Sequence, residues 1–156
     1  MYIQTFGEKN MSQEQKEPAL MFHAQFIKDL SFENPDPANA FNPQATAQPN
    51  IGVNVQAKAQ NLGDRNFEVV LEIRIDATRE DNPLFITELT YAGILTVANH
   101  IEEARVAEVV MIDGPQLLFP FARQLIADVT RDGGFPPLLL APMDFAALYQ
   151  TQHKTA

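Results

Sequence analysis

Apolar and polar residues alternate along four stretches of the chain, at residues 20–32, 51–59, 67–76 and 84–97. Alternation with a period of two is the pattern of a β-strand that buries one face and exposes the other. The stretch 67–76 follows this pattern most closely, because Val70 is the one apolar residue on its polar side. Short polar turns, and no helices, are predicted to join the four stretches. The pattern therefore predicts an antiparallel sheet of four strands.

The first predicted strand is less regular than the third. Met21 and Ile27 interrupt its polar face, and Lys28 interrupts its apolar face. In the fourth strand, Gly93 predicts a bulge or a close approach of another part of the chain, because glycine weakens a strand interior. The positions that simple alternation places on the apolar face of the first strand are Leu20, Phe22, Ala24, Phe26, Leu30 and Phe32.

After the strands, the apolar spacing changes to the three and four residues of a helix. Asp113 is a capping residue and Pro115 favours a first helical turn, so a helix is predicted to begin there. Pro120 must lie in the first turn of this helix, or else the helix begins near Phe119 and Leu117–Leu118 form an extended lead-in. The glycines at 133 and 134 end it. The residues that share its apolar face are Leu118, Ala122, Leu125 and Val129.

Two shorter helical segments and a connector complete the predicted elements. Residues 102–110 form a separate short helix, residues 135–142 are too rich in proline for a helix, and a last helix begins near Met143. The fold class is α+β: a four-stranded antiparallel sheet followed by helices packed on one face. Because this sheet leaves apolar residues uncovered, we expect the chain to form homo-oligomers.

The length and the local composition predict one domain with two tails. A chain of 156 residues suits a single domain with a modest core. Residues 1–18 are polar and aperiodic, so we expect a mobile N-terminal tail. The domain is predicted to span residues 19–150, and residues 151–156 are predicted to be a C-terminal tail.

The composition excludes several classes of protein. The chain has 20 acidic and 11 basic residues, a formal net charge of −9, and no cluster of Lys and Arg. This argues against nucleic-acid binding and against acidic membrane surfaces, and it is compatible with basic protein partners or with a purely solubilising role. The chain has no cysteine, so disulfides, thiol nucleophiles and cysteine-based zinc sites are excluded. No stretch approaches the ~18 apolar residues of a membrane span.

The sequence carries no motif for catalysis. His23, His100 and His153 have no metal-ligand spacing, and neither a phosphate-binding loop nor a nucleophile elbow is present. We therefore expect no enzyme activity, no metal and no cofactor. The N-terminus lacks the basic start and apolar core of a secretory signal, so we expect a cytosolic protein.

Four ungapped blocks resemble the SecB family of bacterial export chaperones, and they occur in the family's order. They are FIKDLSFENP at residues 26–35, FITELTYAGILTV at 85–97, LLFPFAR at 117–123 and FPPLLLAPMDFAALY at 135–149. The resemblance implies a SecB-like fold and a homotetramer built as a dimer of dimers. It also implies an ATP-independent chaperone that holds unfolded preproteins in apolar grooves and delivers them to the translocation ATPase SecA.

The resemblance also assigns residues to three surfaces, each of which has a plainer structural interpretation. The groove positions would otherwise belong to an ordinary core, and Phe41 would pack onto its own domain. The acidic positions would otherwise be solvated strand residues, and the helical face is equally suited to burial against the chain's own sheet. The implied client groove comprises Phe41, Ile51, Val53, Val55, Phe145, Leu148 and Tyr149. The implied SecA surface comprises Asp29, Glu33, Ile86 and Glu88. The implied oligomer interface comprises Leu118, Ala122, Leu125 and Val129.

The preferred hypothesis is an export chaperone. The alternative is a SecB-like chaperone of a toxin–antitoxin system, which would use the same groove for a dedicated client. A small acidic structural subunit and a small hydrolase rank below these two.

Overall fold

The computed structural model describes residues 17–153, so residues 1–16 of the predicted N-terminal tail lie outside the described part of the chain. The elements, in chain order, are β1 (Leu20–Glu33), α1 (Pro37–Ala40), β2 (Asn50–Gly63), β3 (Asn66–Arg79), β4 (Asn82–Val97), α2 (Glu103–Asp132) and α3 (Phe145–His153).

The four strands form one antiparallel sheet in the order β1-β4-β3-β2. Tight turns join β2 to β3 at Asp64–Arg65 and β3 to β4 at Glu80–Asp81, with positive φ at both central residues, as type I′ hairpin turns require. The chain passes from β1 to β2 through a segment that crosses to the opposite edge of the sheet and contains the short helix α1. The prediction that short turns without helices join all four strands is therefore wrong for this connection. The predicted fold class, a four-stranded antiparallel sheet followed by helices, is confirmed.

The irregularity of β1 comes from two register shifts against β4, between Phe22 and Ala24 and between Ile27 and Asp29. Each shift inserts one residue, and each therefore reverses which side chains face the helix. The prediction that Ala24 and Phe26 lie on the helix-facing side is wrong, because between the shifts they lie on the outer face. The second shift restores the original alternation, so the predictions for the two ends of the strand are correct.

The core lies between the sheet and α2. It is built from alternate residues of β3 and β4 that face the helix, including Leu71, Ile73, Leu89 and Leu95, all almost fully buried. The helix crosses the sheet diagonally: Gly114 lies against Val69 of β3, whereas Gly133 lies against Phe32 of β1. One face of the sheet is therefore largely covered, and the other has no element packed on it among the described residues.

The region predicted to hold two helices is one helix of 30 residues, α2, with Pro115 and Pro120 inside it. The prediction that Asp113 caps a second helix is wrong. Pro115 lacks the N–H that would bind the carbonyl of Met111, which normally ends a helix. Here Pro115 and the preceding Gly114 are buried against the sheet, and this packing offsets the lost hydrogen bond.

Asp113 lies half-buried in the middle of α2 rather than at its start. Burial raises the pKa of Asp113, the nearby Glu108 raises it further, and Arg105 opposes the change. Its side chain therefore contributes to the helix surface and not to a helix end.

The extended connector after α2 is held by two polar contacts. The backbone N–H of Leu138 donates to Thr130 Oγ1 at 2.9 Å, and Arg123 Nε donates to the carbonyl of Leu140 at 2.7 Å. Asp144 then caps α3, because its Oδ1 accepts from the N–H of Ala147 at 3.0 Å. The helix continues to His153, three residues into the predicted C-terminal tail.

Gly93 allows the close approach that the sequence predicted. A Cβ added there would collide with the ring of Phe22 and lie 3.0 Å from Leu118 Cδ2. We expect Gly93→Ala to lower the free energy of unfolding by about 1–3 kcal/mol through overpacking, measured by urea denaturation at fixed protein concentration.

Gly52→Ala is the matched control for this substitution. Gly52 is an exposed strand glycine whose added Cβ would meet only the Asp76 carbonyl, at 3.7 Å. The free energy of unfolding of the Gly52→Ala variant should differ from that of the unsubstituted protein by no more than about 0.5 kcal/mol. Equal destabilisation by both substitutions would contradict the packing argument.

Candidate functional site

The segment between β1 and β2 places Phe41 on the surface. Asp36 caps the short helix α1, accepting from the N–H of Asn39 at 3.2 Å, and Phe41 follows directly after that helix. Arg79 fixes the rest of the segment by donating to the carbonyls of Ala47 at 3.1 Å and Ala40 at 3.4 Å. Phe41 is thus held in place while 49% of it stays exposed.

Phe41 covers an aromatic cluster at one end of the sheet. Its ring centroid lies 5.1 Å from that of Phe135, which lies 4.8 Å from Phe85, which in turn stacks on Phe32 at 5.4 Å. Gly134 has a positive φ of 94°, and a Cβ there would approach the Phe41 ring to 2.9 Å. One side of the Phe41 ring is therefore packed on the protein and the other is open to a ligand.

Strand β2 continues the apolar, helix-facing side of the sheet out to its edge. Ile51, Val53 and Val55 pair in register with Ala77, Ile75 and Ile73 of β3, so they share a face with the core. Val55 is half-buried, but Ile51 is exposed and Val53 is 48% exposed. Two of the predicted groove residues on this strand are therefore accessible.

Helix α3 contributes differently from the prediction. Phe145 is only 3% exposed and meets Phe119 edge-on at a centroid distance of 5.7 Å, so it anchors α3 to α2 instead of offering a surface. Leu148 is half-buried against the core, and Tyr149 is half-buried with its ring 4.0 Å from that of His153. Of the predicted α3 positions, only Leu148 and Tyr149 reach the surface.

Leu139 is an exposed apolar residue that the sequence analysis missed. It stands in the connector between Leu138, which packs against the core, and Leu140, which is buried. In an extended segment successive side chains point to opposite sides, so the run of three leucines between prolines could have revealed it.

The acidic positions lie together on the outer face of the sheet, opposite the helix. In the β1–β4 register, Ser31 pairs with Glu88 and Glu33 pairs with Ile86, while Asp29 pairs with Thr90. All four predicted residues therefore share one face. Asp29 and Glu33 are exposed, Ile86 and Glu88 are half-buried, and within residues 17–153 neither Asp29 nor Glu33 forms an ion pair.

Arg74 of β3 partly neutralises this acidic face. Its guanidinium binds Asp76 Oδ1 at 2.9 Å and also binds Glu88. The hydrogen bond to Asp76, followed by that to Glu88, raises the pKa of Arg74. The unpaired negative charge on the face is therefore concentrated at the β1 side.

The predicted oligomer interface is mostly used within the protomer. Leu118 and Ala122 are fully buried against the chain's own sheet, and Leu125 and Val129 are half-buried. Leu117 and Phe121, four residues apart on α2 beside this face, are exposed, Phe121 to 53%. We call these two residues the apolar stripe of α2. The sequence analysis missed them, although their spacing of four residues was visible in the sequence.

A shallow depression adjoins the stripe, between α2 and β1. Its walls include Phe121 and Leu125 on the helix and Ile27 and Tyr91 on the sheet. The Tyr91 hydroxyl donates to Gln25 Oε1 at 3.3 Å, and burial raises the pKa of Tyr91. This leaves an apolar strip along one side of the protomer.

The described residues contain no group of His, Cys, Asp and Glu arranged to hold a metal ion. Among residues 17–153, no helix is both long enough and apolar enough to cross a membrane.

Comparison with known proteins identifies the family. A sequence model of the SecB family, described as preprotein translocase subunit SecB, matches residues 13–156. A protein-export protein SecB of Rhodospirillum centenum is 46% identical over 134 residues, covering 85% of this chain and 79% of that protein. The protein of the same name in Afipia carboxidovorans is 48% identical over 133 residues, covering 85% of this chain and 81% of its own length.

The fold agrees with this assignment. A SecB-like chaperone of Mycobacterium tuberculosis, solved in complex with an antitoxin peptide, has a TM-score of 0.61 to this chain. The likeness covers 80% of this chain and 91% of that one at 13% identity, and so it bears on the fold alone. The chain therefore belongs to the SecB family of protein-export chaperones.

Proposed function

We propose that this protein is a cytoplasmic, ATP-independent chaperone that holds unfolded preproteins on an apolar surface and delivers them to SecA. The observation that carries the proposal is the exposure of Ile51 and Val53, which continue the core-forming face of the sheet into solvent, together with that of Phe41, which covers the aromatic cluster at one end of the sheet. Contiguous exposed apolar surface of this kind marks a binding site for another polypeptide. The proposal includes no enzymatic step and no cofactor.

Weak apolar contacts suit a chaperone that accepts many sequences. At ~25 cal/mol per Å² of apolar surface, a client segment that buries ~400 Å² gains ~10 kcal/mol, and most of that gain is offset by the ordering of the client. Folded proteins hide such segments, so the surface selects unfolded chains. Binding to the unfolded state opposes folding by mass action, and this requires no nucleotide.

Export is the favoured role because of the relatives' names. Proteins named for protein export are 46% and 48% identical to this chain. The likeness to the chaperone crystallised with an antitoxin peptide rests on 13% identity and does not extend to its client. No observation on the described residues favours control of a toxin.

Delivery to SecA is assigned to the outer face of the sheet. Asp29 and Glu33 are exposed and unpaired among the described residues, and Ile86 and Glu88 lie beside them. This surface is on the opposite side of the sheet from Ile51 and Val53, so one protomer can bind a client and SecA together. Exposed carboxylates that face a basic partner make docking sensitive to salt.

A homotetramer, assembled as a dimer of dimers, would cover the apolar stripe of α2. Leu117 and Phe121 are exposed, and Ile27 of β1 stands across the neighbouring depression. A second copy of the same helix would bury these residues. Assembly would also place several client surfaces on one particle, which raises the effective concentration of client segments and gives avidity.

Client binding should depend on the side chains of β2 that face α2. Val53→Asp places a charge in the proposed groove and should weaken binding of a reduced, unfolded preprotein by about tenfold or more, measured by titration calorimetry. Asn54→Asp adds the same charge to the opposite face of the same strand and should change affinity by no more than about twofold. Equal weakening by the two variants would place the groove elsewhere.

SecA docking should depend on the charge of the outer face. Reversal of charge by Asp29→Lys together with Glu88→Lys should lower affinity for purified SecA by about tenfold at low salt, with less effect at high salt. Preprotein binding should be unchanged. Asp64→Lys together with Asp81→Lys, in the exposed β2–β3 and β3–β4 turns, changes the net charge by the same amount and is the control. A parallel loss of preprotein binding would mean that the two surfaces have been wrongly assigned.

Assembly should depend on Phe121. Phe121→Glu places a charge in the proposed interface and should reduce the particle mass measured by light scattering, while the far-ultraviolet circular dichroism stays unchanged because this side chain is largely exposed. Gln116→Glu, on an exposed position of the same helix, should leave the particle mass intact. Retention of the full particle mass by Phe121→Glu would exclude the stripe as an interface.

A further inference from the structure

Arg79 places a positive charge at the end of the apolar face of the sheet. Side chains of β3 alternate between the two faces, so Arg79 follows Ile75 and Ala77 on the side that faces α2. It is half-buried, and although Glu80 and Asp81 come directly after it, within residues 17–153 it forms no ion pair. A half-buried guanidinium without a carboxylate partner needs other hydrogen-bond acceptors.

These acceptors are two carbonyl oxygens of the segment between β1 and β2. Arg79 Nε donates to the carbonyl of Ala47 at 3.1 Å, and Arg79 Nη1 donates to that of Ala40 at 3.4 Å. We call residues 40–47 the Phe41 loop, because Phe41 is its exposed aromatic residue. One planar guanidinium therefore joins both ends of this loop to the end of β3.

Few other contacts hold the Phe41 loop to the sheet. Except for the buried Ala40, its residues are exposed or half-buried. Its backbone hydrogen bonds stay within residues 36–45. Among the described residues, Arg79 has the one side chain outside residues 36–49 that hydrogen-bonds to the loop. The position of the loop relative to the sheet therefore depends strongly on this arginine.

We propose that Arg79 is a positioning residue for client binding, which keeps the Phe41 ring on Phe135 with its other side open to the client. The inference rests on the proposed chaperone function and adds a residue that acts through Phe41. A ring that is held in place before the client arrives loses little freedom on binding, so more of the apolar contact appears as affinity. Without the two hydrogen bonds, binding of the client would have to order the loop as well.

The geometry of the two contacts requires an arginine. Nε and Nη1 are separate donors in one rigid plane, and each reaches a different carbonyl. Lysine carries the same charge on a single nitrogen at the end of a flexible stem, so it does not supply two donors in this fixed arrangement. Arg79→Lys therefore keeps the charge and loses the planar fork.

The test measures the affinity of the full chain for a reduced, unfolded preprotein by titration calorimetry. Arg79→Met keeps an apolar stem and removes the two hydrogen bonds, and it should bind the preprotein about fivefold or more weakly. Arg79→Lys should weaken binding to a similar extent. Full affinity in Arg79→Lys would show that the charge suffices, and it would overturn the positioning role.

Arg131→Met is the control for the loss of a positive charge. Arg131 lies in the last turn of α2, its side chain is exposed, and it pairs with Asp128 and Asp132 without touching the Phe41 loop. The affinity of this variant for the preprotein should stay within about twofold of that of the unsubstituted protein. A loss as large as that of Arg79→Met would attribute the effect to net charge and would contradict the proposal.

A double-mutant cycle with Phe41→Ala shows whether Arg79 acts through the ring. In the Phe41→Ala background, Arg79→Met should cause a further loss of less than about twofold, because the side chain that the arginine positions is absent. If the losses of the two single variants multiply in the double variant, Arg79 acts on the client independently of Phe41 and the proposal is wrong.

A spectroscopic measurement follows the position of the ring without a client. The chain has no tryptophan, so Phe41→Trp introduces a single indole fluorophore into the loop. Adding Arg79→Met to this variant should shift the emission to longer wavelength and increase its quenching by acrylamide, because the ring leaves its packed position on Phe135. Far-ultraviolet circular dichroism should stay unchanged, which distinguishes a displaced loop from unfolding. Unchanged emission and quenching would overturn the proposal.

The preprotein titration separates this inference from the proposed function. If the unsubstituted protein binds the preprotein and the Arg79 variants bind it equally well, the positioning role is wrong and the chaperone proposal stands. If the unsubstituted protein does not bind the preprotein, both proposals fall, whatever the emission shows.

Discussion

A single helix cannot cover a four-stranded sheet, and most of the surface chemistry of this protein follows from that mismatch. Four strands spaced about 4.8 Å apart are about 19 Å wide, whereas a helix with its side chains is about 10 Å across. The lengths agree much better, since 30 helical residues extend about 45 Å and 14 strand residues about 48 Å. Helix α2 therefore covers the sheet along its length and leaves part of its width open.

The diagonal path of α2 decides which part stays open. Gly114, in the first half of the helix, lies over β3 and β4 near Val69 and Leu95, and Gly133, directly after its last residue, lies over β1 near Phe32. At the end of the sheet where it has moved to β1, the residues Ile51 and Val53 of β2 are left without a cover. The aromatic cluster beneath Phe41 fills the space nearest to them. The exposed apolar surface is thus the remainder of a core that one helix cannot complete.

Simple alternation predicted the sheet correctly because three of its strands are regular. It failed within β1, where two inserted residues cancel, so Leu20 and Phe32 were placed correctly while Ala24 and Phe26 were not. The continuity of α2 could not be predicted either, because the burial of Pro115 against the sheet is a tertiary effect that local rules do not contain. The same limit applies to the candidate site. Phe145 has the aromatic side chain expected of a client-binding residue, and only its packing against Phe119 shows that it is buried.

The two shifts in β1 also alter the character of the outer face. By turning Phe26 outward, they align it in register with Ala92 of β4 and Val70 of β3, beside the acidic residues. A protein that docks there would meet a non-polar centre flanked by carboxylates. Since ionic screening acts on charges and not on buried hydrocarbon, such a complex would persist in part at ionic strengths that abolish purely electrostatic association.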